Sequence, residues 1–138
     1  MNKTYLLASI NNSPTVSVKA GADIDDVRFK AVKFDENGNA VLTSTAGEAF
    51  IGIALPTTGD AVGKVKAGDD LDIQIKDMGM AVAGGAIAAG SPLAANNAGQ
   101  LVKATAGNFI IGYAMEAAAQ AGDIITIQVA KGYYPTGA

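Results

Sequence analysis

The chain has 138 residues, a formal net charge of −3, 6% aromatic side chains, and neither cysteine nor histidine. These values leave no disulfide framework, no zinc site of the usual thiolate or imidazole kind, and no base for a Ser-His-Asp hydrolase. The charge gives no electrostatic footprint for nucleic acid, and no apolar run approaches the ~20 residues of a membrane helix.

Met1–Pro14 shows no period and ends in Asn11-Asn12-Ser13-Pro14, a turn composition. The expected organisation is an N-terminal arm at 1–14 and a single β domain at 15–138. Two fates fit the arm: a frayed terminus, or a segment that orders on a partner through Tyr5, Leu6, Leu7 and Ile10. Its apolar patch is shorter than that of a signal peptide and lacks a clean cleavage site, so synthesis inside the cell without secretion is expected.

Val16 and Val18 then alternate with Ser17 and Lys19, the pattern of a half-buried strand. After a turn at Gly21, Val27, Phe29 and Ala31 alternate against Arg28 and Lys30 as the next strand. Asp35-Glu36-Asn37-Gly38-Asn39 contains Asn-Gly, which predicts a hairpin whose two central residues both have positive φ. Val41 starts the return strand. Ile51, Ile53 and Leu55 share one face of the following strand, Gly52 and Ala54 the other, and Pro56 stops it. Leu71, Ile73 and Ile75 alternate cleanly with Asp70, Asp72, Gln74 and Lys76.

From Met80 the plan repeats. Met80 and Val82 lead into the loop Gly84–Gly90, which delivers Ser91-Pro92-Leu93, and Asn96-Asn97-Ala98-Gly99 turns the chain before Leu101 and Val102. Phe109, Ile111, Tyr113 and Met115 share a strand face opposite Gly112 and Ala114. Glu116–Gln120 has the composition of a single helical turn, and Ile125, Ile127 and Val129 close the unit. Block by block, Lys19-Ala20-Gly21 falls on Val82-Ala83-Gly84, and Asn37–Val41 on Ala98–Val102. Phe50–Leu55 falls on Ile110–Met115, and Ala67–Ile75 on Ala121–Val129. The reading is an all-β, compact barrel- or sandwich-like domain with at most one short helix, built from two pseudo-repeats at about 16–75 and 80–129. With few aromatic residues, its core must be filled by Val, Ile, Leu and Ala. The small residues at Gly52/Ala54 and Gly112/Ala114 predict close packing against that face by the opposing sheet.

Charge is unevenly spread. From Met78 to Ala138 the only charged side chains are Lys103, Glu116, Asp123 and Lys131. An isolated monomer covers itself with mixed charge, so this half is expected to lie against other protein surfaces.

No residue set carries chemistry. Asp23, Asp25 and Asp26, and again Asp69, Asp70 and Asp72, are dense enough to raise calcium, but neither group follows the twelve-residue loop with its terminal Glu. They read as turn caps and solvent-facing strand residues, with Lys64 and Lys66 to balance the second group. Gly79–Gly90 lacks both phosphate-loop patterns. Val62–Leu71 followed by Lys76–Met80 looks like the hairpin of biotinyl and lipoyl carrier domains, yet Gly79 stands where the modified lysine would be, so only hairpin geometry is implied. No catalytic, cofactor or metal residue is expected, and the chain is not read as an enzyme.

Taken in order, Ala83–Leu93, Gly99–Ala104, Ile111–Ala118 and Ala121–Val129 are similar to the capsid cement (decoration) proteins of tailed bacteriophages. That resemblance implies a small β fold on the outer surface of an expanded capsid, stabilising the shell by bridging capsomers. It implies a major capsid protein as partner, a homo-oligomer with a trimer favoured, no cofactor, and neither nucleic acid nor membrane as partner. It also implies synthesis in the host cytoplasm. The rival reading is a carbohydrate- or surface-binding β module of a fibre or adhesin. Such a module wants exposed Trp or Tyr platforms, and here Trp is absent and Tyr133 and Tyr134 are the only adjacent pair.

Overall fold

Residues 13–57 and 60–136 are described by the computed structural model, so Tyr5, Leu6, Leu7 and Ile10 lie outside the described residues. Alternating apolar residues produce ten strands: β1 (Thr15–Lys19), β2 (Ala31–Phe34), β3 (Ala40–Leu42), β4 (Gly52–Ala54), β5 (Asp70–Gln74), β6 (Met78–Val82), β7 (Pro92–Ala95), β8 (Leu101–Lys103), β9 (Phe109–Ala114) and β10 (Ile124–Tyr133). No helix forms among the described residues. The strands make two five-stranded antiparallel sheets, in the orders β1-β5-β4-β2-β3 and β6-β10-β9-β7-β8. Adding five to each number of the first order gives the second.

The equivalence reaches single residues. Val32 opposes Gly52 and Ala54 opposes Ile73 in the first sheet. Leu93 opposes Gly112 and Ala114 opposes Ile127 in the second. The bridges Ala20–Ala40 and Ile24–Val65 recur as Ala83–Leu101 and Ile87–Ala118. These are the pairings that the block alignment of the sequence requires, so the duplication is one of structure. The first bridge of each repeat brings the two edges of its sheet together at one point, short of a closed barrel, and the whole is sandwich-like.

Both β-hairpins are longer than an Asn-Gly two-residue turn. Asp35 N–H donates to the Asn39 carbonyl, the Asp35 carboxylate accepts from Asn37 and Asn39 N–H, and Gly38 is left-handed while Asn37 is not. This is a three-residue loop closed by a left-handed glycine. Asn96 and Gly99 build the same turn in the second repeat.

Four expectations are corrected. Val27–Lys30 is a turn and not a strand: Phe29 has φ 59° and strand β2 begins at Ala31. Glu116–Gln120 forms no helical turn, because Ala118 is held in a bridge to Ile87. β5 and β6 enter different sheets, so the carrier-like hairpin does not exist. Finally, it is not the opposing sheet that comes close to Gly52 and Gly112. A Cβ at either would collide with the backbone carbonyl of the neighbouring strand, at Gln74 and Gln128 respectively.

The first repeat encloses its own core of Ala20, Ile24, Val27, Val32, Ala40, Ala54, Val65, Leu71 and Ile73. The second encloses the matching residues, among them Ala83, Ile87, Leu93, Leu101, Ile125 and Ile127, but its core also takes in Ala31, Phe50 and Ile53 from the first. Phe50 and Phe109 meet edge-on at 5.3 Å across that junction. Thr43 Oγ1 donates to the Asn96 carbonyl and Lys131 Nζ to the Ile51 carbonyl, tying the repeats further.

Candidate interaction face

The registers of β6, β9 and β10 sort their side chains onto two faces. Ala81, Ile125, Ile127 and Ala114 point inward and are buried. The opposite face carries Met78, Gln128, Tyr113 and Pro92 in one row, then Met80 and Thr126, then Val82 and Ile124. Met115 adjoins the middle row, its N–H donating to the Thr126 carbonyl. This outer face stays open to solvent: Met78 is 51% exposed, Met80 42%, Tyr113 42%, Met115 51% and Ile124 46%. An exposed apolar patch of this kind marks an interaction surface, and thioether side chains adapt well to a partner's shape.

The first repeat provides an internal control. At the positions of Met80 and Thr126 it has Ser17 and Asp72; at those of Val82 and Ile124 it has Lys19 and Asp70. Lys19 Nζ lies 2.8 Å from the Asp70 carboxylate, and the Thr57 hydroxyl donates to Asp72 at 2.6 Å. The same strands in the same register therefore tolerate charge on this face. Apolar residues there are not a requirement of the fold.

Few charges interrupt the face, and of the four charged side chains from Met78 onward, Glu116, Asp123 and Lys131 are engaged locally. Glu116 accepts from Thr126 N–H, which holds its carboxyl below the usual range. Asp123 accepts from Ala119 and Gln120 N–H. Burial lowers the Lys131 ammonium's pKa while its Nζ donates to Ile51.

The acidic clusters disperse into turns and ion pairs. Asp23 caps Ala67 N–H and Asp69 caps Lys66 N–H. Arg28 grips Asp26 with two nitrogens, at 2.8 and 2.9 Å, and that hydrogen bonding holds the Asp26 carboxyl below its ordinary value. Lys19, not Lys64 or Lys66, balances Asp70. Among the described residues, no group of three or more acidic side chains is placed to hold a metal. Tyr133 and Tyr134 do not form a platform: Tyr133 stacks edge-on against Phe109 and is exposed, whereas Tyr134 packs on Ala94, Ala104 and Ile110.

The outer face was not singled out from sequence, which placed Tyr113 and Met115 on one face with Phe109 and Ile111. The first repeat covers Phe109 and Ile111 but stops short of Tyr113 and Met115. A usable signal was nonetheless present in the aligned repeats, where polar residues of one copy meet Met and Ile in the other.

Comparison with known proteins gives two likenesses. A family model described as phage cement protein matches residues 56–130, which include β6, β7 and β9 whole and most of β10. Among solved structures, the chain is similar to the head fiber gp8.5 N base of bacteriophage phi29. Identity is 18% and the TM-score 0.59, over 87% of this chain and 96% of that one. At that identity the likeness is one of fold. No curated protein matches the chain.

Proposed function

The chain belongs to the phage cement protein family, and from that premise we propose that it binds the outer surface of an expanded phage capsid and stabilises the shell by bridging neighbouring capsomers. The observation that carries this reading is the exposed apolar outer face of β6, β10 and β9, at whose Met80 and Ile124 rows the first repeat carries Ser17 with Asp72 and the Lys19–Asp70 ion pair. A surface that the fold does not need to be apolar, in a family of virion proteins, is best used against protein. The partner is the major capsid protein, and the chain acts as a homo-oligomer, with a trimer favoured. The mechanism is linkage: a protein that binds the assembled shell and not its separated capsomers adds its binding free energy to shell stability. Many equivalent copies make modest individual affinities large together.

Tyr5, Leu6, Leu7 and Ile10 supply further capsid contacts from the N-terminal arm in this reading. Co-sedimentation with purified expanded capsids tests it. The full chain pellets with the shells at a saturating stoichiometry, and a chain lacking residues 1–12 pellets at lower occupancy while keeping its β spectrum. Full-length protein left in the supernatant refutes capsid binding, and unchanged occupancy after the deletion refutes the role of the arm.

A further inference from the structure

Where the first repeat meets the second, a groove of about 380 Å³ opens between the Phe29 turn and the end of the apolar outer face. Phe29, Val82 and Ile124 form its apolar wall, so the last row of that face runs directly into it. The polar side chains of the lining are Asp26, Arg28, Lys30 and Gln100. A concave site with an apolar wall and a few convergent polar groups is the usual form of a binding pocket.

The hydrogen-bonding capacity left over in this lining has one polarity. Arg28 meets Asp26 side-on, through Nε at 2.8 Å and Nη2 at 2.9 Å, and its backbone N–H donates to the same carboxylate at 3.1 Å. Both Asp26 oxygens are thereby engaged. Nη1 and the second Nη2 N–H, the end-on fork of the guanidinium, have no partner among the described residues. Gln100 Oε1 accepts from Asn96 Nδ2 at 3.2 Å, which leaves the Gln100 amide N–H groups to spare. Lys30 adds an ammonium with no ion pair among the described residues. Gly63 backs the arginine: a Cβ there would come within 2.7 Å of Arg28 Cγ, so only a bare residue lets that loop pack so close. Asp60, the other carboxylate that Arg28 feels, accepts from Val62 and Lys64 N–H and does not line the groove. The unspent side-chain groups are therefore donors, two of them cationic, set beside apolar carbon.

The second repeat shows that the turn itself does not need these groups. Phe29 N–H donates to Ala54 as Gly90 N–H does to Ala114, and Lys30 N–H to Val27 as Ser91 N–H does to Ala88. The twin turn is Ala88-Ala89-Gly90-Ser91, without a charge. Because Ile24 matches Ile87 in the bridges and Val27 matches Ala88, Asp25-Asp26 is an insertion with no counterpart. We infer that the groove seats a carboxylate side chain, flanked by an apolar one, from the protein surface that the outer face covers. This rests on the outer face being a capsid-binding surface, and it specifies the chemistry met at one end of that face. The end-on fork of Arg28 takes the two carboxylate oxygens, Lys30 and Gln100 supply further donors, and Val82 with Ile124 takes the apolar neighbour. An arginine already held by Asp26 has less freedom to lose on binding, which lowers the cost of the contact.

Two measurements test the inference. In the first, isotope-labelled full chain is titrated with the capped peptide acetyl-Leu-Glu-Leu-amide and followed by NMR at the Arg28 Nε–H and Gln100 side-chain amide signals. The glutamyl peptide should shift both signals to saturation, and acetyl-Leu-Gln-Leu-amide should shift neither. Equal responses to the two peptides, or none to either at about 20 mM, overturn the inference. The second is co-sedimentation with expanded capsids. Arg28→Ala and Gln100→Glu should each raise the concentration needed for half occupancy at least about fivefold. Lys66→Gln removes a positive charge outside the groove and should leave that concentration unchanged. Arg28→Ala gives the turn the residue type of Ala89 in its twin, so the β spectrum should be retained. Shells that take up both groove variants as readily as the parent overturn the inference and leave capsid binding standing. Parent protein that stays in the supernatant refutes the capsid reading and, with it, the source of the carboxylate, a result read before any variant is compared.

Discussion

Gly52→Ala and Gly112→Ala probe the duplicated register directly. At both sites a new Cβ would sit inside the van der Waals envelope of a carbonyl on the adjacent strand, Gln74 or Gln128. An aliphatic carbon approaches a carbonyl oxygen to ~3.3 Å, so each carbonyl must retreat by roughly 1 Å or more, out of its own ladder. Overpacking of this kind costs about 1–3 kcal/mol, and a strained ladder bond adds about 1 kcal/mol. A total of ~3 kcal/mol lowers the midpoint of thermal unfolding by about 6–12 °C at this chain length. Gly85→Ala is the control, because the site of its Cβ is empty to 4 Å and its φ is not in the left-handed region; the expected change is within about 1 kcal/mol of zero. Thermal unfolding followed by circular dichroism measures all three. Should Gly52→Ala and Gly112→Ala melt within 2 °C of the parent (a loss under roughly 1 kcal/mol), the close approach of the paired strands is wrong.

Met80→Ser with Ile124→Asp should change monomer stability by no more than about 0.5–1 kcal/mol, because both side chains are exposed and the twin sheet carries these residue types; chemical denaturation of dilute protein gives the number. Glu48→Ala should cost about 1–3 kcal/mol, since its carboxylate accepts from Lys33 Nζ and from Ser44 and Thr45 N–H. Burial pushes the Glu48 carboxyl up, but those donors together outweigh it and hold it below its ordinary value. That stability is present above the unfolded pKa and is lost as pH falls through the lower, folded pKa; Glu48→Gln should flatten the acid side of the stability profile, and an unaltered profile counts against the assignment. Lys131 has the opposite sign. Burial disfavours its charged form, so stability should rise with pH from its lowered pKa up to the unfolded value of 10.5, and Lys131→Met should abolish that rise in urea titrations between those limits.

Much of the fold was legible because duplication checks itself. Gly52 and Gly112, Gln74 and Gln128, and Ala20 and Ala83 fall together in the alignment, and they occupy matching rungs of the two sheets. What the residues did not disclose depends on partners distant in sequence. Val27-Arg28-Phe29-Lys30-Ala31 alternates like a strand, but its turn is set by the Phe29 carbonyl meeting Val82 and by the Phe29 ring packing on the second core. A left-handed phenylalanine costs about 1–3 kcal/mol, which only such tertiary contacts offset. Likewise, Phe109 and Tyr113 have the same local pattern. One is buried by Phe50 and the other lies beyond the reach of the first repeat, a difference set by where the sheets overlap.

The most direct test of shell stabilisation is the disassembly temperature of purified expanded capsids as free protein is added. Linkage predicts a temperature that climbs with the logarithm of free protein above the dissociation constant, while unexpanded or dissociated capsomers show no binding. A disassembly temperature that stays constant while the shells become fully decorated would contradict the account.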